Sequence, residues 1–329
     1  MQKKVDMSGL REKLEGNRNT RIAMVSHSIG DADFIGSAIA LSEYMPNSKI
    51  VVQDKLSAKV EGILKDNGFP TSFQKEIGRD SDLIIMLDVK DFEGCGPLAP
   101  ELSQTKKEIL VIDHHFPKAA SGQNMVVFDD ERYSSTSNII YRALKEIGAP
   151  LSPQAAKMLL IGIISDSAEL INSTPGTFRD ISEILEMTGA DYAAISDEIS
   201  YDIKPKERIG IIDSICSSQK EVIGGELLVH GESKLPAHMT ADFAIKAGAD
   251  IALFYSLYKK EISFSARMRS SVEKKYGIHL GKIMGEISGA IEGNGGGHSC
   301  AAGSYGPGQE GYKDFISEFR GQLAKKMIL

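Results

Sequence analysis

The hydrophobic pattern of the first half of the chain alternates between short apolar runs and longer amphipathic stretches. Short runs at residues 21–26, 49–53, 82–87 and 109–112 are typical of strands buried in a parallel sheet. Around them, apolar residues recur at helical spacing, as in residues 135–148. Strands and helices in alternation predict an α/β fold with a parallel, doubly wound sheet.

The pattern changes after a polar stretch at residues 190–204 that precedes Pro205. Beyond it, residues 261–267 alternate between apolar and polar positions in strand fashion. We therefore predict an N-terminal domain over residues 1–189, a linker over 190–204, and a smaller α/β domain with a mixed sheet over 205–329.

Composition and charge narrow the classes of function. The chain has 329 residues and a net charge of −7; residues 205–329 carry +2 and the rest −9. This balance disfavours a basic protein that wraps duplex nucleic acid, but it allows a small phosphate ligand. The three scattered cysteines form no disulfide framework or zinc spacing, and neither a signal peptide nor a membrane span is evident. We expect a cytoplasmic protein.

Metal-capable side chains follow several of the apolar runs. The carboxyl ends of parallel strands meet at one edge of a sheet, so we expect these side chains to converge there. Converging carboxylates repel each other, and bound cations remove that cost. Oxygen and imidazole ligands suit Mn²⁺, with Mg²⁺, Co²⁺ or Fe²⁺ as competitors, and this many ligands suit two ions better than one. The candidates are His27, Asp31, Asp33, Asp88, Asp113, His114, His115 and Asp166.

The spacing of these residues resembles the motifs of the DHH phosphoesterase superfamily. The matching segments are His-x-x-x-Asp-x-Asp-x-x-Gly-Ser at 27–37, Asp88, Asp-His-His at 113–115, and Gly-Ile-Ile-Ser-Asp at 162–166. Further on, segments 263–267 and 295–303 resemble the DHH-associated C-terminal domain of RecJ-like exonucleases and nano-RNases. The first predicted domain would thus bind metal and catalyse, and the second would bind substrate.

The resemblance implies a role for each candidate residue. His27, Asp31 and Asp88 would hold one ion. Asp33, Asp88, His114 and Asp166 would hold the second, so that Asp88 bridges the two. His115 would face the scissile phosphate as the catalytic histidine, and Asp113 would orient a histidine. The implied reaction is attack of a metal-activated water on phosphorus.

Substrate binding is expected in the second domain. Residues 295–297 are three glycines followed by His298, and we interpret them as an anion-binding loop that leads into a helix beginning near Ala301. The segment 265–269 departs from the common family pattern, which leaves open whether Arg267 or Arg269 contacts the substrate. The predicted substrate-binding residues are Arg267, Arg269, Gly295, Gly296, Gly297 and His298.

The predicted function is hydrolysis of short single-stranded oligonucleotides or nucleotide phosphoesters, including 3′-phosphoadenosine 5′-phosphate. Alternatives are a phosphodiesterase for cyclic or linear dinucleotides, a RecJ-like exonuclease, and a nucleotide-binding protein that kept the fold without activity. The chain lacks a basic, aromatic-rich stretch for stacking many bases, which disfavours the processive exonuclease. The resemblance also implies a homodimer as one form that the chain could take, since the family is often dimeric.

Overall fold

The computed structural model describes residues 3–27, 30–53, 56–89, 91–115, 124–167, 170–199 and 204–327. The chain divides into two compact units, Met1–Asp202 and Ile203–Leu329. Residues 28–29 of the first motif and residues 200–203 of the predicted linker lie outside the described residues. Among the described residues, no helix combines the length and hydrophobicity that crossing a membrane requires.

The first unit is built on a six-stranded sheet in which every pairing is parallel. Its strands are β1 (Lys3–Lys4), β2 (Ile22–Val25), β3 (Ser48–Ile50), β4 (Leu83–Leu87), β5 (Glu108–Asp113) and β6 (Met125–Asp129). Their order across the sheet is β1-β6-β5-β4-β2-β3. The helices are α1 (Met7–Gly16), α2 (Ala32–Tyr44), α3 (Ala58–Asp66), α4 (Ala99–Gln104), α5 (Thr136–Ile147), α6 (Pro153–Asp166), α7 (Pro175–Thr188) and α8 (Tyr192–Ile199).

Both faces of the sheet are covered at its centre, which explains why β2 and β4 are apolar and buried throughout. Strand β4 illustrates the arrangement. Ile85 points into the core formed with α1, α2, α5 and α6, whereas Ile84 and Met86 point into a second core that includes Leu102 of α4. The predicted parallel, doubly wound sheet is therefore confirmed.

The second unit has a mixed six-stranded sheet, also as predicted. Its strands are β7 (Gln219–Ile223), β8 (Glu226–Glu232), β9 (Ile251–Tyr258), β10 (Glu261–Met268), β11 (Asn294–Gly297) and β12 (Ala301–Gly306), in the order β11-β12-β10-β9-β8-β7. The pair β8–β9 is parallel and the other pairs are antiparallel. The helices are α9 (Pro205–Ser217), α10 (Ala237–Lys246), α11 (Ser270–Tyr276), α12 (Leu280–Ile287) and α13 (Tyr312–Met327).

Two segments differ from the prediction. Part of the predicted linker is helix α8, and it packs on the first unit because Ile195 and Ile199 are buried in that unit's core. The glycine segment does not lead into a helix at Ala301. It forms a hairpin of β11 and β12, in which Ala302, Ser304 and Gly306 are buried and alternate with more exposed residues. This period of two belongs to a strand.

Candidate metal centre and substrate-binding face

Loops and helix ends at one edge of the parallel sheet bring the predicted metal ligands together. His27 follows β2, Asp88 follows β4, and Asp113 ends β5. These three strands are neighbours in the sheet, so their carboxyl ends lie side by side. Asp31 is the N-cap of α2, and Asp166 is the last residue of α6. Three of the predicted segments thus follow strands, and the others come from helix ends.

Asp88 lies between two groups of ligand atoms. Its Oδ2 is 3.8 Å from Nε2 of His27, and its Oδ1 is 3.5 Å from Nε2 of His114. Nε2 of His27 is also 3.2 Å from Oδ2 of Asp31, and Nε2 of His114 is 2.8 Å from Oδ2 of Asp166. One carboxylate oxygen of Asp88 therefore faces each group.

The backbone of Asp88 adopts a conformation that is rare for a residue with a side chain. Its φ is +56°, in the left-handed region. Its N–H donates to the carbonyl oxygen of Ile112 on the neighbouring strand, which helps to hold it there. Strained backbone of this kind concentrates at functional sites, where the surrounding structure maintains it. Here it directs a carboxylate that is 5% exposed between two histidines.

Asp33 is buried and is held by the first turn of another helix. Its two carboxylate oxygens accept hydrogen bonds from the backbone N–H groups of Thr136 (2.7 Å) and Ser137 (2.8 Å) at the start of α5. Burial, reinforced by the nearby charges of Asp88 and Asp166, raises the pKa of Asp33 well above its usual range. A cation at this position would relieve the repulsion among these carboxylates.

Asp113 orients His115 rather than His114. Oδ1 of Asp113 accepts from the backbone N–H groups of both histidines and lies 2.7 Å from Nδ1 of His115. Burial disfavours the carboxylate, but the contacts with His115 outweigh it and lower the pKa of Asp113. The same hydrogen bond raises the pKa of His115. The ring of His115 is thus held at Nδ1, and its side chain is half exposed.

The donor set fits a divalent cation. Three overlapping groups of His and Asp residues each bring their ligand atoms within 4.8 Å of one another. Nε2 of His114 and Oδ2 of Asp166 are both buried without a hydrogen-bond partner among the described residues, although they face each other. Burial disfavours charge on His114, yet the carboxylates of Asp166, Asp88 and Asp33 raise its pKa to about 11. A bound metal ion can be coordinated by buried nitrogen and oxygen atoms that have no hydrogen-bond partner.

Thr136 is a contact of this centre that the sequence alone did not reveal. Its hydroxyl donates to Oδ1 of Asp88 over 3.4 Å, and its backbone N–H holds Asp33. The side chain is fully buried. The signal that could have found it is the run Ser-Ser-Thr-Ser at 134–137 that opens α5. Residues that hydrogen-bond to metal ligands tune the ligands' position and basicity.

We expect Thr136→Val to weaken Mn²⁺ affinity by about 10–100-fold, because Asp88 loses a hydrogen-bond donor while the packing volume is nearly kept. Thr136→Ser, which keeps the hydroxyl, should bind Mn²⁺ almost as tightly as the unmodified protein. Isothermal titration with Mn²⁺ measures both affinities. An unchanged affinity in Thr136→Val would show that the hydroxyl does not support the metal site.

In the second unit, Arg267 and His298 fall in one row across the sheet. Arg267 of β10 is paired with Ala301 of β12, and the N–H of His298 donates to the carbonyl oxygen of Ala301. Residues directly opposite one another in an antiparallel pair project from the same face. Arg267 is held on this face by an ion pair of 2.6 Å with Asp242 of α10.

Arg269 has a different environment. Its guanidinium donates to the carbonyl oxygens of Ala249 and Ile245, at and just beyond the end of α10. A positive charge at the C-terminus of a helix stabilises the helix. This contact gives Arg269 a structural role at the end of α10, whereas Arg267 lies in the row that contains Ala301 and His298.

The glycines at 295–297 serve two faces of β11. A Cβ at Gly295 would lie 2.3 Å from the carbonyl oxygen of Met284, so this glycine lets α12 pack directly on the strand. Gly297 has a φ of +137°, which favours glycine. Gly296 faces the opposite side, where a Cβ would meet nothing within 4 Å.

Comparison with known proteins identifies both parts of the chain. Residues 21–163 match the DHH family, N-terminal domain, and residues 237–325 match the DHHA1 domain. An uncharacterized protein from Methanocaldococcus jannaschii is 26% identical over 94% of this chain and 98% of its own length. A probable manganese-dependent inorganic pyrophosphatase from Staphylococcus aureus is 26% identical over 49% of this chain. The matched part covers 52% of the pyrophosphatase.

Solved structures share the fold. An exopolyphosphatase-related protein from Bacteroides fragilis has a TM-score of 0.73 at 17% identity and covers 96% of this chain and 97% of its own. RecJ from Thermus thermophilus, in complex with Mn²⁺, has a TM-score of 0.53 at 14% identity, over 97% of this chain and 54% of RecJ. The acidic and imidazole cluster, the two family matches and the fold agree with one another. The chain is a metal-dependent phosphoesterase of the DHH superfamily that carries a DHHA1 domain as its C-terminal domain.

Proposed function

We propose that this phosphoesterase hydrolyses short single-stranded oligonucleotides and nucleotide phosphoesters such as 3′-phosphoadenosine 5′-phosphate. The observation that carries the proposal is the presence of a DHHA1 domain, with Arg267 and His298 in one row, on the same chain as the metal cluster. The likeness to the pyrophosphatase covers only 49% of the chain. A substrate with a second phosphate or a base for the second domain to bind is therefore favoured over pyrophosphate.

The geometry of the cluster supports the roles that the family resemblance implies. His27, Asp31 and Asp88 would hold one ion, and Asp33, Asp88, His114 and Asp166 would hold a second. The two oxygens of Asp88, each directed at a different histidine, support the bridging role. Mn²⁺ suits the mixture of carboxylates and imidazoles. When bound, the ions would neutralise charge on the phosphoryl oxygens and lower the pKa of a water molecule.

His115 is proposed as the residue that donates a hydrogen bond to the scissile phosphate. Its hydrogen bond with Asp113 fixes the ring through Nδ1, so the other nitrogen can donate to the substrate. Asp113 also raises the pKa of His115, which favours the protonated, donating form. A positive charge so placed stabilises a phosphoryl transition state or a leaving oxygen.

A pocket of about 200 Å³ lies beside the cluster and gives the substrate a place to bind. Asp31, Asp33 and Asp166 line one part of it, and Lys59 of α3 contributes to the lining. A lysine beside an acidic, metal-binding wall suits a phosphate group held between cations.

The proposed substrate preference predicts how the rate depends on length. We expect the rate per molecule to fall as RNA or DNA is lengthened from two to about twenty nucleotides, since a small pocket and a single Arg–His row favour short chains. A product-resolved digest with Mn²⁺, run beside 3′-phosphoadenosine 5′-phosphate and cyclic dinucleotides, measures this. A rate that rises with length would indicate a RecJ-like exonuclease, and a preference for cyclic dinucleotides would indicate the phosphodiesterase. No turnover on any substrate would indicate a binding protein.

A further inference from the structure

One face of the outer strands β11 and β12 forms an open strip without side chains. Gly296 and Gly303 lie opposite each other on this face. A Cβ at Gly296 would meet nothing within 4 Å, and one at Gly303 would approach only the carbonyl oxygen of Phe264, at 3.2 Å. The other face of the same strands is packed against α12, where Ala302 belongs to the core. The strip is therefore bare on one side only.

Each end of the strip is marked by a row of side chains. At one end, His298 and Arg267 flank Ala301. At the other end, Tyr305 of β12 lies between Asn294 of β11 and Ser263 of β10. The two rows are four residues apart along the strands, which corresponds to about 13 Å at the rise of a β-strand. The strand positions of both rows share one face, because residues two and four apart in a strand project to the same side, and His298 is joined to this row by its backbone hydrogen bond to Ala301.

Tyr305 is the most exposed of the three tyrosines in the strands of this sheet. It is 63% exposed, against 48% for Tyr258 and 8% for Tyr255 on β9. An aromatic ring at the end of a glycine floor can approach a planar ligand without hindrance from neighbouring side chains. Stacking of a base on an aromatic side chain is how single-stranded nucleic acids are held without sequence preference.

We propose that Tyr305 stacks on a nucleobase of the substrate and so determines specificity for substrates with a second base. The inference rests on the proposed function, and it places a phosphate of the substrate at Arg267 and His298. The glycine strip receives the sugar and base between this phosphate and the tyrosine. Because β12 ends at Gly306 and Pro307 follows, the strip continues no further along this strand. Tyr305 therefore favours short substrates that fill the strip.

Equilibrium binding tests the proposal separately from hydrolysis. A fluorescein-labelled DNA trinucleotide is titrated with protein in EDTA, so that no turnover occurs, and its anisotropy gives Kd. We expect Tyr305→Ala to raise Kd about tenfold and Tyr305→Phe to leave it nearly unchanged, because the ring and not the hydroxyl stacks. For a trinucleotide with abasic sugars, all three proteins should give the same Kd.

Two further variants sharpen the result. Val222→Ala removes an exposed side chain from the opposite edge strand, β7, and should leave Kd unchanged. Gly296→Val places a side chain on the strip and should weaken binding as strongly as Tyr305→Ala. Thermal unfolding confirms that each variant is folded.

The outcomes separate this inference from the proposed function. No binding of the trinucleotide by the unmodified protein, or an equal Kd for the unmodified and Tyr305→Ala proteins, overturns the role of Tyr305. An equal loss on the abasic trinucleotide also overturns it, because no base is then involved. Tight, Tyr305-dependent binding without hydrolysis on adding Mn²⁺ would contradict the proposed function and leave the stacking role intact.

Discussion

Asp88→Asn is expected to lower kcat by about 10³-fold or more and to abolish tight binding of Mn²⁺. The amide keeps the size of the side chain, and asparagine tolerates the left-handed backbone at φ +56° better than most residues do. The variant should therefore fold normally. What it loses is the negative charge and one of the two oxygens that face His27 and His114. Hydrolysis of bis-p-nitrophenyl phosphate with Mn²⁺, together with calorimetric titration of the metal, measures both effects.

The matched control for this variant is Asp82→Asn. Asp82 immediately precedes the same strand, is about half exposed, and pairs with Arg21 at the surface. Loss of a surface ion pair costs little stability and does not affect the distant edge of the sheet. We expect unchanged kcat and unchanged metal affinity. If Asp88→Asn retained more than a tenth of the activity, the carboxylate of Asp88 would not be a ligand that the reaction needs.

Gly36→Ala is expected to lower the free energy of unfolding by ~2–3 kcal/mol. A Cβ at this position in α2 would lie 2.4 Å from the carbonyl oxygen of Met158 in α6. Gly162 of α6 is equally constrained, since its Cβ would lie 2.2 Å from Oγ of Ser137. The backbone of α6 must therefore move away from α2, and α2 carries Asp31 and Asp33 at its start. Urea unfolding measures the loss of stability.

Gly62→Ala is a control variant for which we expect the free energy of unfolding to change in the opposite direction. Gly62 lies inside α3, where a Cβ would meet nothing within 4 Å. Alanine is the better helix former, so this substitution should raise the free energy of unfolding by ~0.5–1 kcal/mol. A destabilisation of similar size in both variants would indicate a general intolerance of alanine at glycine positions. Close packing between α2 and α6 would then not be the cause.

His27, Asp88 and Asp113 could be predicted to lie together because they follow or end apolar runs that pair in a parallel sheet, whereas Asp166 ends helix α6. The run at 82–87 placed Asp88 at a strand end, and the structure has β4 ending at Leu87. The conformation of Asp88 was not predictable, since asparagine or glycine is the usual sign of positive φ. The hydroxyl contact of Thr136 with Asp88 was also not predicted, because the hydroxyl-rich run at 134–137 suggests a helix start and does not say which carboxylate lies opposite it.

The glycine segment shows where local pattern fails. From sequence, the three glycines are interpreted as an anion-binding loop that leads into a helix, yet they lie in strand β11, and Gly295 is required there by its contact with Met284 of α12, which only the tertiary structure reveals. Small residues at 301–303 suit either a helix or a strand. They form a strand because they pair with β10 on one side and with β11 on the other. Long-range pairing of this kind outweighs local propensity.

The position of β1 at the edge of the sheet affects how the protein folds while it is being synthesised. Lys3 and Lys4 pair with Val126 and Val127 of β6. A nascent chain therefore exposes its first strand on the ribosome with no partner until β6 has been synthesised. Meanwhile its two lysines discourage pairing with other chains, as charged edge strands do. Lys4 then forms an ion pair with Asp129, so the sheet is closed by the earliest and the latest of its strands to be translated.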